Sequence, residues 1–108
     1  MTDTELYSKV AALEGWTFEE VSYDGIPLDW FNDGDLGLTI NAAMFVLIKK
    51  YKLDVYSEGY PDEEDEMWLV DYWIDGHADA GNVTDKTLER AICLARLEIE
   101  SADTTPNP

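Results

Sequence analysis

Apolar side chains recur at helical spacing in three stretches of the chain and alternate at strand spacing in two others. Leu6, Val10 and Leu13 lie on one helical face, so a first helix is expected from about Asp3 or Thr4 to Glu14. Thr2, Asp3 and Thr4 all suit its N-cap and Gly15 its stop. Ile40, Met44, Leu47, Ile48 and Tyr51 form the apolar stripe of a second helix, capped by Thr39 and closing with Lys49 and Lys50 in its last turn. Leu88, Ile92, Ala95 and Ile99 mark a third, with Thr84 or Asp85 as its cap.

Between the second and third helices the period changes to two. Leu53 and Val55 alternate with Asp54 and Tyr56, and the run Met67 to Asp75 puts Trp68, Val70, Tyr72 and Ile74 on one face. Leu69, Asp71, Trp73 and Asp75 occupy the other, a mixed face. From Trp16 to Leu38 the pattern is irregular, with Asp24-Gly25, Pro27, Asn32-Asp33-Gly34 and Gly37 at short intervals, which reads as a long folded-over loop. A third strand comes either from Thr17 to Tyr23, leading into a hairpin, or from His77 to Val83. The order helix, loop, helix, strand, strand, helix predicts an α+β domain in which three helices pack with a small antiparallel sheet of two or three strands, an α/β/α sandwich-like arrangement. A single domain over residues 1–101 and a disordered tail over 102–108 are expected.

Composition adds to this picture a core and an excess of charge. With 108 residues and 45% apolar content, the chain can bury one core. Against 24 Asp and Glu stand 7 Lys and Arg, a net charge of −17, where a magnitude of roughly 2–8 is usual for a small soluble domain. Direct binding to nucleic acid or to an anionic membrane is disfavoured, because both need clustered Lys and Arg. A basic partner is favoured instead. The N-terminus has no positive segment leading into an apolar run, no stretch approaches a membrane span, and a lone cysteine, Cys93, forms no internal disulfide, so a cytoplasmic setting is expected.

The charge is unevenly spread. Between Lys9 and Lys49 there are seven acids and no base; between Lys52 and Lys86 there are eleven acids and no base. The long loop and the hairpin are therefore expected to build one negative side of the domain. Its densest run is Glu58, Asp62, Glu63, Glu64, Asp65 and Glu66, which is either a solvated loop or a surface that imitates a phosphate array. Most aromatics belong in the core, but Trp30, Phe31 and Tyr60 sit in turn-rich acidic stretches and are expected as exposed anchors, with Asp29, Asp33 and Asp35 beside them.

Other chemistry is poorly represented. Asp75, His77 and Asp79 alternate as metal ligands can, but no second His or nearby Cys completes a set, so a surface turn is the better reading. Asp29, Asn32, Asp33 and Asp35 fail the spacing of a calcium loop because Phe31 takes its third position. With one His, no glycine-rich phosphate loop and no recognisable nucleophile and base pair, catalysis is not expected, and neither is a cofactor or a metal.

Gly15-Trp16 after the first helix, Asn41-Ala42-Ala43-Met44 opening the second, the aromatic strand around Trp68 to Trp73, and Ala78-Asp79 shortly before Glu89-Arg90-Ala91-Ile92-Cys93-Leu94-Ala95 together resemble the phage ABA sandwich domain. That family is found in small proteins of bacteriophages and prophages. The likeness spans roughly Leu6 to Glu98, and Ala91-Ile92-Cys93 with Ala95 looks like a close-packing helix face. It implies a phage origin and no enzymatic activity. Joined to the charge, it suggests an inhibitor of a bacterial nucleic-acid-handling defence system, anti-CRISPR or anti-restriction, acting by nucleic-acid mimicry or by occluding a basic site. The alternatives are a small-ligand module with a pocket near Trp68, Tyr72 and His77, and a phage accessory or assembly protein.

Overall fold

The computed structural model describes residues 1–58, 67–73 and 80–103. Within them the chain forms three helices and small antiparallel sheets, an α+β fold. Helix α1 spans Asp3–Glu14. The Thr2 hydroxyl accepts the Glu5 N–H at 3.2 Å, and Asp3 and Glu5 place negative charge where the helix dipole favours it. At the other end Gly15 turns left-handed at φ 75°, and the N–H groups of Gly15 and Trp16 bond back to Ala12 and Ala11, which satisfies carbonyls the helix leaves open. Helix α2, Ile40–Tyr51, is capped by Thr39, whose hydroxyl accepts the Ala42 N–H at 3.1 Å. Helix α3 spans Leu88–Asp103.

The expected long loop is instead a set of five short strands, β1 Thr17–Glu19, β2 Ser22–Tyr23, β3 Ile26–Pro27, β4 Trp30–Asn32 and β5 Gly37–Thr39. They form a three-stranded sheet in the order β1-β4-β5 and a separate β2-β3 hairpin. The turn residues that made this stretch look irregular are the connections between strands too short to show a period. A second sheet, in the order β6-β7-β8, comprises Asp54–Glu58, Met67–Trp73 and Ala80–Asp85. Its third strand thus comes from the later of the two expected segments, shifted toward α3.

Two features of α3 also differ from expectation. Its cap is Thr87, not Thr84 or Asp85: the Thr87 hydroxyl accepts the Arg90 N–H at 3.3 Å, while Thr84 and Asp85 remain paired in β8. The helix also runs to Asp103, past the expected domain end at residue 101; 104–108 lie outside the described residues.

Helix α3 is the centre of the molecule. One side packs on β7 and β8 and the other on α1 and α2, while the β1-β4-β5 sheet closes over α1 and α2. The layers run sheet, helix, helix pair, sheet, rather than helix, sheet, helix. Such a position favours small side chains, and Ala91, Cys93 and Ala95 are fully buried together with the larger Ile92, as the close-packing face suggested. Facing them are Leu6 and Val10 from α1, Ala43 and Leu47 from α2 and Val70 from β7. Gly81 of β8 is required by contact: a Cβ there would lie 2.2 Å from the phenol carbon of Tyr72.

Three cations, Arg96, Lys50 and Arg90, join helix ends to their neighbours. Glu14, at the end of α1, is held by Arg96 Nε at 2.7 Å, by Lys50 Nζ at 2.8 Å and by the Tyr51 hydroxyl. The Arg96 guanidinium lies 4.6 Å from the Tyr51 ring centre and also reaches Glu100 at 3.3 Å. Arg90 bridges Asp3 at 2.5 Å and Asp85 at 3.4 Å, tying α1 and β8 to α3.

Candidate partner-binding surface

The β1-β4-β5 sheet sorts its residues by strand alternation into an inner and an outer face. Its inner row is Phe18, Phe31 and Leu38, in register across the three strands. Phe31 is fully buried and meets Phe18, Trp16 and Tyr7 with ring centres 5.2, 5.6 and 5.9 Å away. The expectation that Phe31 anchors a partner is therefore wrong. It neighbours Trp30 in sequence, and adjacent strand residues point to opposite faces.

Trp30 takes the outer face, 43% exposed, in register with Glu19 and Thr39. Its indole N–H donates to the Glu19 carboxylate at 2.7 Å, and its ring lies over Gly37 of the neighbouring strand. With Pro27, Leu28, Asp29, Thr39 and Ile40 it lines an open groove of about 470 Å³. Asp29 is half-buried there. Asp33 and Asp35 lie in the β4-β5 turn. The Asp33 carboxylate accepts the Leu36 N–H at 2.9 Å, so it shapes the turn, while Asp35 is exposed.

Exposed acids continue through Glu19, Glu20 and Asp24. One of the seven acids between Lys9 and Lys49 departs from this face: the side chain of Glu14 is 1% exposed and its charge is engaged internally. Glu58 ends β6 opposite Met67. Tyr60, Asp62, Glu63, Glu64, Asp65 and Glu66 lie outside the described residues, as do His77 and its neighbours Asp75 and Asp79. The structure thus gathers Asp29, Trp30, Asp33 and Asp35 on the β1–β5 side.

Sequence reasoning missed the exposed Val21, Tyr23, Ile26 and Leu28, the last of which lines the groove with Trp30. The signal was Asp24-Gly25 between two apolar pairs, a two-residue hairpin turn whose arms are too short to pack against anything else. Tyr56 and Trp73 are exposed on the β6-β7 face opposite Val55, Val70 and Tyr72, the mixed face on which the alternation put Trp73.

At the site suggested for a small ligand, Tyr72 is buried with its ring over Gly81, and Trp68 packs against the core. Among the described residues no group of acidic, His and Cys side chains is placed to hold a metal ion, and no helix is long and apolar enough to cross a membrane. Cys93 is buried 3.9 Å from the Met44 sulfur, and burial, helped by Glu89, pushes its thiol up to about 12, which keeps it protonated and unreactive. No protein-family model matches this chain, and no curated protein or solved structure matches it.

Proposed function

We propose that this chain is a non-enzymatic, phage-encoded acidic protein that occupies a basic site on a bacterial nucleic-acid-handling defence complex of the CRISPR or restriction type. The observation that supports it is the disposition of charge. Arg90, Arg96 and Lys50 are engaged with Asp3, Asp85, Glu14 and Glu100, whereas Glu19, Glu20, Asp24 and Asp35 stand exposed on the β1–β5 side. Carboxylates fixed to short strands and turns need little reorganisation to meet a site shaped for phosphates. The defence target and the phage origin rest on the resemblance to the phage ABA sandwich domain.

The test is a cleavage assay on purified CRISPR effector and restriction complexes with the protein added. Inhibition should be relieved by excess duplex DNA and should weaken from about 0.1 M to about 1 M salt, as the Debye length shrinks from about 10 Å to about 3 Å. Inhibition that persists unchanged in salt and against DNA would sink the reading.

A further inference from the structure

Every residue from Glu20 to Leu28 is exposed. In the β2-β3 hairpin Tyr23 lies opposite Ile26 and Ser22 opposite Pro27, and the Leu28 N–H donates to the Val21 carbonyl at 2.6 Å. Strand alternation then places Val21, Tyr23, Ile26 and Leu28 on one face and Ser22 and Pro27 on the other. Those four apolar residues are 40, 68, 60 and 53% exposed. A two-stranded hairpin gains little stability of its own from such a face, and a contiguous exposed apolar patch marks a contact surface. The hairpin is also shaped in advance: Asp24 and Gly25 both take positive φ, 51° and 78°, the turn that matches the strand twist.

Charge decides what covers the patch. Glu19, Glu20 and Asp29 flank it along the chain and Asp24 stands in its turn, and no cation lies in sequence between Lys9 and Lys49. A second copy would bring the same acids against these on a chain that already carries −17. A cleft that is apolar at its floor and rimmed by Lys or Arg complements both the patch and its border.

We infer that the β2-β3 hairpin is the anchor by which the chain enters an apolar, Lys- or Arg-rimmed cleft on its partner. The acids steer the approach and the hairpin supplies the hold. This deepens the proposed function and rests on its reading of the chain as an acidic binding protein. It selects occlusion of a basic site over mimicry by charge alone.

Two synthetic peptides of equal length and charge test it, one alternating lysine with leucine and the other lysine with serine. Each is titrated calorimetrically into the full chain and into the double variant Tyr23→Ser/Ile26→Ser. The lysine–leucine peptide should bind the parent protein at least about tenfold more tightly than the lysine–serine peptide, and the double substitution should abolish that advantage alone. Equal affinity for the two peptides, or an advantage that survives the substitution, overturns the hairpin anchor and leaves the acidic-surface reading standing. Failure of both peptides to bind overturns both. Sedimentation provides a further check, since a dimer that the double substitution dissolves would give the hairpin to a second copy. Val21→Ser/Leu28→Ser repeats the test should the first variant lose its native circular dichroism.

Discussion

Glu14 and Arg96 meet at 2.7 Å in the interior, with their side chains 1% and 6% exposed, and so join the end of α1 to the middle of α3. Lys50 and Tyr51 bring the end of α2 to the same carboxylate. One acid thus fastens all three helices at one place. Replacing it takes from the buried Arg96 guanidinium its partner at Nε and leaves it the more distant Glu100 at 3.3 Å. Glu14→Ala should lower stability by about 3–5 kcal/mol, measured by urea unfolding. Glu14→Gln combined with Arg96→Met should cost less than the sum of the two single changes.

The same carboxylate sets an acid limit. Burial would raise its pKa, but hydrogen bonds from Lys50, Tyr51 and Arg96 outweigh burial and hold it below the ordinary value of 4.5. The folded pKa therefore lies below the unfolded one. Its contribution to stability is fully present above the unfolded value and is lost as the pH falls through the depressed folded value. Chemical denaturation across that range should show the parent protein losing stability relative to Glu14→Gln as the pH drops. Parallel curves for the two would contradict the assignment.

The contact of Tyr72 with Gly81 predicts a steric conflict and its relief. Gly81→Ala puts a methyl group on the buried phenol ring and should destabilise by about 1–3 kcal/mol. Combining it with Tyr72→Leu should recover part of the loss expected from adding the single effects, which thermal unfolding of the four proteins would reveal.

Thr87 predicts a smaller effect. Removing its hydroxyl exposes the first turn of α3 without touching the core, so Thr87→Ala should cost about 1 kcal/mol. Thr84→Ala should not reproduce a capping loss, because Thr84 pairs with Leu69 inside β8. Denaturation midpoints of the two variants distinguish the residues.

The helices were legible in the sequence because each carries an apolar stripe, and the caps Thr2 and Thr39 stand at the start of theirs, whereas Thr87, a cap of the same kind, was passed over for Thr84 and Asp85. Strand β7 was legible for the same reason: seven residues are enough to show alternation. The β1-β4-β5 sheet was not, since three residues show no period and its pairing is decided by Phe18, Phe31 and Leu38 meeting over α1 and α2. At the candidate surface, Trp30 was found through its acidic neighbours, whereas Phe31 shares those neighbours and points inward. Local composition locates a stretch of surface; only the pleat decides which of two adjacent rings belongs to it.

The hairpin from Glu20 to Leu28 places no side chain in the core. Folding therefore exerts little selection on what those positions carry, beyond the turn at Asp24 and Gly25. Recognition and foldability are written in separate residues, so this arm can drift toward a new target, or be grafted and randomised by an engineer, while the three-helix body stays unchanged.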